Sequence, residues 1–385
     1  MPNDSTRRIL RSATKQRSHL ELAAPPEVPP TTSSARKTSS ARPAPAPAPG
    51  KHAITIIPRG SKLPNLSPAE LALLRKKQLR LSQDIPNLQG AVSGPRLRNA
   101  LAASLIFAQH EAGTAVCIHP AGWLITCAHC FGDTEEEYRS SAKTRWLLLY
   151  DGRAVQVECH VWDMKRDLAL LKIIAVESDD TSAIMNDRNS DDNHNRGGSF
   201  SYVTLASCTP AVDTPIICIG QPGSEDLEST TDRKTDYGLV EISHGAFRGM
   251  IPGADPCDNS EIGTLKHDAW TYWGHSGAPL LNKKDGTLIG LHSSWDDQTG
   301  TRHGVPLFAI EIFLREHVPV MGGELAGQRG SMSLADCLKE GRKKGLAQNL
   351  VARPKRGVQV PREKRSVDVI VISSESSDGC DGEKL

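Results

Sequence analysis

From about residue 100 to residue 317 the chain alternates short β-rich apolar runs with Gly, Asp, Pro or charged turns, which restricts its fold more than any other feature. The runs recur at intervals of roughly a dozen residues, a rhythm typical of antiparallel barrels and sandwiches. An acidic, Asn-rich interruption divides them into two sets of about six. The sequence therefore predicts an all-β fold of two antiparallel six-stranded β-barrels. The runs are SLIFAQ, GTAVCIH, GWLITCA, RWLLLYD, RAVQVECHVW and LALLKIIA, then YVTLAS, PIICIGQ, YGLVEIS, APLLN, TLIGLHSS and VPLFAI, with a short helix, EIFLREH, at the end.

The rest of the chain has little from which to build a core. Only 38% of its 385 residues are hydrophobic and 4% are aromatic, which is low for a chain packed throughout. A start rich in Ser, Thr, Pro, Ala and basic residues buries too little apolar surface to offset its ordering entropy. The predicted segments are a disordered basic, Pro-rich arm (1–66), a capped basic helix and linker (67–95), barrel one (96–175), an acidic linker (176–200), barrel two (201–318), a basic linker (319–365) and an acidic tail (366–385).

The stretch LSPAELALLRKKQLRLS predicts the capped helix. Ser67 is placed as N-cap, Pro68 as the first helical residue and Glu70 as the third residue of a capping box. Its leucines form one apolar stripe on a basic helix. The helix either packs outside the core or stays free in solution, and the alternative is a helix that binds a partner or nucleic acid. The preceding run AITIIP predicts a strand that docks on the barrel.

Composition argues against several classes of protein. No run of about 20 apolar residues predicts a membrane span, and no apolar signal-type stretch follows the first methionine. Nine cysteines, an odd number, favour reduced thiols in an intracellular compartment. The Cys/His cluster between Cys117 and Cys130 lacks the spacing of a zinc site. We expect neither a metal nor a cofactor.

Three polar residues fall at the ends of predicted strands. His129 follows a buried strand in LITCAHC, Asp167 precedes one in KRDLALLKI, and Ser276 lies in the glycine turn of GHSGAPL. A serine hydroxyl needs a base to become a nucleophile, and an imidazole serves best when a carboxylate fixes its tautomer. Each motif alone is usually only a turn or a satisfied polar group. The order His, Asp, Ser is one of the known orders of this triad.

The three blocks around these residues resemble those of chymotrypsin-fold (PA clan) serine peptidases, especially the HtrA-like and glutamyl-endopeptidase branches, over residues 100–318. The resemblance implies Ser276 as nucleophile, His129 as general base and acid, and Asp167 as orienting carboxylate. It also implies an oxyanion hole formed by the backbone N–H groups of Gly274 and Ser276. The chain departs from the pattern at Ala278, where a second glycine is usual, and at Trp273, a bulky neighbour of the oxyanion turn.

The same resemblance bears on specificity. Trp270 stands where trypsin-like members have an acid, which argues against cleavage after Arg or Lys. Thr271 and His292 match positions that contact an acidic or Gln side chain in glutamyl endopeptidases and viral 3C-type peptidases, so they and Ser293 are the predicted substrate-binding residues. Cleavage after Glu, Asp or Gln is the hypothesis. The alternative is a generic small-residue pocket beside a buried His292.

The C-terminal stretch DVIVISSESSD resembles a SUMO-interacting motif. Four consecutive β-branched residues, Val369, Ile370, Val371 and Ile372, precede serines and acids. Such a strand can add to the edge of a partner's sheet while acidic or phosphorylated serines face basic groups. The upstream basic runs GRKKG, RPKRG and REKR resemble nuclear import signals and allow nonspecific DNA contact. We expect a nuclear protein, with the mitochondrion as alternative because the start is Arg- and Ser-rich.

These features predict a nuclear serine endopeptidase whose substrates are proteins or peptides and whose tail recruits it to SUMO-modified proteins. No PDZ domain of HtrA type is predicted after the second barrel. The alternative is a catalytically silent peptidase-fold adaptor that binds SUMO or chromatin.

Overall fold

The computed structural model describes residues 54–109, 113–178, 200–224, 234–296, 299–317 and 321, with the backbone of 9–10. The strands are β1 (Ile9–Leu10), β2 (Thr55–Pro58), β3 (Ser104–Phe107), β4 (Thr114–His119), β5 (Trp123–Thr126), β6 (Thr144–Leu149), β7 (Ala154–Asp163), β8 (Leu168–Ser178), β9 (Pro215–Gly220), β10 (Glu241–Met250), β11 (Leu265–His267), β12 (Pro279–Asn282), β13 (Leu288–Asp296) and β14 (Arg302–Pro306). The α-helices are α1 (Pro68–Ala91), α2 (Pro95–Ala103), α3 (Glu135–Ser140) and α4 (Leu307–His317).

The strands form the two closed six-stranded antiparallel barrels that the sequence predicts. Barrel one has the order β8-β5-β4-β3-β6-β7 and closes through the β7–β8 pairing. Barrel two has the order β13-β12-β9-β10-β11-β14 and closes through the β13–β14 pairing. The strands β3 and β5 are buried along their whole length. Both faces of these strands are therefore covered by other parts of the protein. The predicted fold class is confirmed.

Two of the predicted elements differ in detail, and one strand was not predicted. The run YVTLAS makes a single β-bridge, from Leu205 to Leu288, instead of a strand. In VPLFAI the strand stops at Pro306 and α4 begins at the next residue, because proline is tolerated at the start of a helix and not in the middle of a sheet. The short strand β11 is absent from the prediction, since its three residues give no apolar run to recognise.

The segment before barrel one is packed against it. As predicted, Ser67 caps α1 with a complete capping box; Leu74 and Leu81 of this helix are fully buried. The strand β2 pairs in parallel with β8, so it docks on the barrel as AITIIP predicts. The arm predicted for 1–66 is therefore too long at its C-terminal end, because the apolar side chains of β2 and the buried Leu63 join the core.

A buried carboxylate fixes this packing. Glu177, near the end of β8, is 1% exposed and accepts from Arg75 Nη1 at 2.5 Å, Gln78 Nε2 at 2.5 Å and the backbone N–H of Gly60 at 3.0 Å. One side chain thus ties α1 and the loop after β2 to barrel one. Since β8 continues to Ser178, it extends into the range predicted as the acidic linker.

Other predicted segments, among them the basic linker (319–365), lie largely or wholly outside the described residues. The rest of the acidic linker and the tail residues Val369–Ile372 lie outside the described residues. None of the described helices is long and apolar enough to cross a membrane.

Candidate active site

His129 and Asp167 meet at the open end of barrel one. His129 lies in a 3-10 helix, Ala128–Cys130, directly after β5, and Asp167 ends the turn that leads into β8. Because β5 and β8 are neighbouring antiparallel strands, the end of one lies beside the start of the other. His129 Nδ1 is 2.8 Å from Asp167 Oδ1 and 3.0 Å from Oδ2, and the backbone N–H of His129 donates to Oδ1 at 3.2 Å.

Asp167 is fully buried, with no exposed surface. Its backbone has a φ of 53°, in the left-handed region where Asp and Asn are among the few tolerated side chains. Ser293 of β13 donates to Asp167 Oδ2 at 2.6 Å. Both carboxylate oxygens are therefore held by hydrogen bonds, one set from each barrel, as a buried charge requires.

Ser276 lies in the turn before β12 and faces His129. Its Oγ is 2.8 Å from His129 Nε2, so the imidazole bridges a buried carboxylate and a serine hydroxyl. Gly277 fixes the turn, because a Cβ there would lie 2.1 Å from the carbonyl oxygen of Thr114 and 2.3 Å from Thr126 Oγ1. Its φ of +80° is also one that side chains rarely adopt. The backbone N–H of Thr114 donates to the carbonyl of Ser276 at 2.9 Å, which docks the turn on barrel one.

The turn before Ser276 orients the backbone N–H of Gly274. The N–H of His275 donates to the carbonyl of Tyr272 at 3.1 Å, and Gly274 has a φ of +96°, as the third residue of a type II turn requires. The Trp273 carbonyl accepts from the N–H of Gly223 at 2.5 Å. Since N–H and C=O of a trans peptide point in opposite directions, the Gly274 N–H points away from Gly223.

A cleft of about 220 Å³ opens beside Ser276. Three aromatic rings pack on one another in its wall: Tyr237 and Trp270 meet edge to face with centroids 4.8 Å apart, and Trp270 and Tyr272 are stacked at 6.3 Å. Trp273 lines the cleft without filling it. The lining residues are Tyr237, Trp270, Thr271, Tyr272, Trp273, Gly274, Ser276, His292, Ser293, Trp295 and Arg302.

Buried histidines lie beneath the cleft. His267 Nε2 is 3.0 Å from His292 Nδ1, and the rings of His275 and His292 are 6.3 Å apart and nearly perpendicular. Burial lowers the pKa of His267 to about 3 and that of His275 to about 4. Burial also lowers the pKa of His292 well below its usual value, and the neighbouring His267 lowers it further. All three imidazoles are thus neutral near pH 7.

The structure brings the predicted residues together around the cleft. Thr271 and His292 line the cleft, and so do Gly274 and Ser276. Ser293, predicted as a substrate-binding residue, also lines the cleft, and its hydroxyl donates to Asp167 from the point where the register of β13 shifts.

Other residues of this site were missed from the sequence. His267, Trp295 and Arg302 lie beside it on β11, β13 and β14, where His267 pairs with Arg302 and Arg302 with Trp295. Only the register of barrel two brings these three residues to one place. The sequence carries no motif that marks them.

One group of side chains has the composition of a metal site. The ligand atoms of Cys127, His129 and Asp167 lie within 4.8 Å of one another. Burial raises the pKa of the Cys127 thiol well above its usual value, and this thiol donates to the carbonyl of His292 at 3.3 Å. Cysteine binds metal as a thiolate, and both ring nitrogens of His129 already have partners. These residues therefore fit a proton-transfer array better than a metal centre.

Residues 113–291 match the family model of the trypsin-like peptidase domain. A search of curated proteins gave no match. The matched range contains His129, Asp167 and Ser276 and ends just before His292. Together with the two closed barrels, it fits a chymotrypsin-fold peptidase.

Proposed function

We propose that this trypsin-like peptidase domain is an active serine endopeptidase in which Ser276 is the nucleophile, His129 the general base and acid, and Asp167 the orienting carboxylate. The observation that carries the proposal is the distance of 2.8 Å between Ser276 Oγ and His129 Nε2, on an imidazole whose Nδ1 faces the buried Asp167. A nucleophile in contact with a base, and a base oriented by a third group, is the arrangement that acyl transfer needs.

The reaction follows from these contacts. Ser276 Oγ attacks the scissile carbonyl as its proton passes to His129 Nε2, and Asp167 stabilises the imidazolium that results. The N–H groups of Gly274 and Ser276 donate to the oxyanion, each contributing about 3 kcal/mol. His129 then protonates the leaving amine as the C–N bond breaks. Water, deprotonated by His129, attacks the acyl-enzyme, and the acid product leaves as Ser276 regains its proton.

We further propose cleavage after Glu, Asp or Gln, as in the glutamyl-endopeptidase branch. Thr271 and His292 line the cleft beside Ser276. If His267 Nε2–H donates to His292 Nδ1, the neutral His292 carries its proton on Nε2 and donates to a carboxylate or amide oxygen of the substrate. Position 270 is occupied by tryptophan, so the cleft has no carboxylate there to bind the Lys or Arg side chain of a substrate. The side chains that line the cleft support this preference. A profile of the peptides that the protein cleaves tests it.

The proposed partner of the tail is SUMO, through Val369, Ile370, Val371 and Ile372, and the proposed location is the nucleus. The support is the sequence order of four β-branched residues followed by serines and acids, since such a strand adds to a sheet edge. Titration of SUMO with the full chain and with a Val371→Asp variant tests this: equal affinity of the two forms refutes it.

A fluorophosphonate probe tests the enzyme itself. Labelling of the folded protein that is lost in Ser276→Ala is the expected result, together with hydrolysis of a peptide library by the wild type alone. The matched control is Ser294→Ala, which changes a buried serine outside the array. A folded protein that takes no label and cuts no peptide of the library would instead indicate a silent adaptor built on a peptidase fold.

A further inference from the structure

Arg302 is the basic residue of the cleft. It lies on β14, directly opposite Trp295 on one neighbouring strand and His267 on the other. Residues directly opposite each other on paired strands share a face of the sheet. Arg302 therefore points to the same side as His267, whose imidazole reaches His292, and it lines the cleft that contains Ser276.

The guanidinium of Arg302 has no counter-ion within hydrogen-bond reach among the described residues. Its Nε is buried without a partner. The acid whose charge acts on it is Asp268, but that carboxylate already accepts from Arg248 at 2.7 Å and from the backbone N–H of Ala246 at 2.6 Å. Buried charges are normally paired, so a half-buried guanidinium left open towards a cleft is unusual.

Arg302 also supplies the permanent charge of this site. Burial lowers the pKa values of His267, His275 and His292, and the positive charge of Arg302 lowers all three further. These histidines are therefore neutral donors or acceptors, whereas a guanidinium stays protonated at any physiological pH. Burial lowers the pKa of Arg302 itself, as expected of a cation short of a counter-ion.

We propose that Arg302 is the specificity-determining residue of the cleft and binds the carboxylate of an Asp or Glu side chain immediately before the scissile bond. The proposal rests on the peptidase function proposed above and narrows its substrates from acidic or Gln to acidic side chains. An Arg fork matches a carboxylate with two parallel hydrogen bonds, while His292 and Thr271 line the same cleft. A Gln side chain has the same shape but leaves the guanidinium without its counter-charge.

Paired peptides that differ only in Glu or Gln before the scissile bond test this assignment. The forms compared are wild type, Arg302→Gln, Arg302→Lys and Lys266→Gln. Lys266 adjoins His267 on β11 but points to the other face, because successive residues of a strand alternate, so it is the matched control. We expect kcat/KM for the Glu peptide to fall roughly a hundredfold in Arg302→Gln, with little change for the Gln peptide. The lysine variant should lie between, and Lys266→Gln should match the wild type.

The outcomes separate the two proposals. If Arg302→Gln still takes the fluorophosphonate label and keeps the wild-type ratio of Glu to Gln cleavage, the role of Arg302 is refuted and the peptidase stands. If the wild type neither takes the label nor cuts any peptide, the peptidase function fails first.

A second measurement does not depend on the folding of a variant. A preference of the wild type for Glu that is constant from about pH 6 to 9 supports Arg302, because its charge does not titrate there. The other titratable groups near the guanidinium are Asp268, Cys218, His267, His275 and His292. Burial raises the pKa of the Cys218 thiol to about 12, so it stays neutral in this range. A preference that fades as pH rises would place the charge on one of these histidines and overturn the proposal.

Discussion

Ser293 of the second barrel donates to Oδ2 of Asp167 of the first, at 2.6 Å and across 126 residues of sequence. The carboxylate that faces His129 is therefore positioned by both barrels. The proposed active site depends on how the barrels dock as much as on either barrel alone.

Replacing Ser293 with alanine should slow the reaction without unfolding the protein. The hydrogen bond joins a neutral donor to a buried carboxylate, a kind worth about 1.5–3 kcal/mol. We expect kcat to fall by about ten- to a hundredfold while KM changes little, because the hydroxyl contacts Asp167 and not the substrate. Steady-state kinetics decide; a rise in KM at constant kcat would mean that the hydroxyl binds substrate, as the sequence suggested.

Asp167→Asn should have a larger effect on the same array. The amide keeps the shape and tolerates the φ of 53°, but it cannot stabilise an imidazolium and favours the wrong tautomer of His129. The equivalent change in a serine protease triad lowers kcat by about 10⁴, and we expect a similar loss with an unchanged melting temperature. Activity close to that of wild type would remove Asp167 from the mechanism.

The three residues of the array were predictable because each lies next to one end of a recognisable strand. His129 follows β5, Asp167 precedes β8 and Ser276 precedes β12. The role of Ser293 was not, because a serine inside a strand gives no sign of which face it occupies until the register is known. Arg302 was missed for the same reason: its place in the cleft follows from its pairing with His267 and Trp295.

Gly277→Ala should be strongly destabilising. A Cβ would lie 2.1 Å from the Thr114 carbonyl oxygen, and the backbone φ of +80° is unfavourable for alanine. Strain of about 1–2 kcal/mol adds to an overpacking cost of about 1–3 kcal/mol. Gly253→Ala is the matched control, since its φ is +77° but nothing lies within 4 Å of the added Cβ. Urea unfolding should show a loss at Gly277 at least about twice that at Gly253; equal losses would mean that the contact with Thr114 is unimportant.

The barrels were predictable from the apolar rhythm, but the attachment of the N-terminal segment was only partly so. The capping box and AITIIP gave α1 and β2. Nothing in the sequence marks Glu177 as the partner of Arg75 and Gln78. The acid lies about a hundred residues later, directly after the predicted run LALLKIIA and Val176, and resembles the start of the acidic linker.

Glu177→Gln tests that attachment. The change leaves Arg75 without its ion-pair partner. Because the Arg75 side chain is 29% exposed, the cost lies between that of an exposed pair, about 1 kcal/mol, and that of a fully buried one, about 3–5 kcal/mol. The unfolding free energy should fall by about that amount, and limited proteolysis should cut sooner near Gly60, whose backbone N–H also loses its charged acceptor. Glu135→Gln is the control, because its pair with Arg139 is exposed and worth less than about 1 kcal/mol. Equal stability of the two variants would contradict a clamp at Glu177.

The buried histidines make the fold sensitive to acid. The folded pKa of His267 is lowered to about 3 and that of His275 to about 4, from 6.5. The unfolded chain therefore binds more protons than the folded one at pH values between these and 6.5. The contribution of these neutral histidines to the free energy of unfolding is complete above about pH 6.5. It is lost as the pH falls, at up to about 1.4 kcal/mol per pH unit for each histidine.

Removing one of these imidazoles should weaken the pH dependence. His267→Asn keeps a polar group beside His292. As the pH falls from 6.5 to 4.5, its free energy of unfolding should fall less steeply than that of the wild type, and the two slopes should differ by about 1.4 kcal/mol per pH unit. Urea unfolding at pH 7.5, 6.0 and 5.0 gives the slope, and His244→Asn is the control because that side chain is exposed. If wild type and His267→Asn share one slope, His267 takes up protons in the folded protein, and the cluster beneath the cleft is not the dry, neutral site that its burial implies.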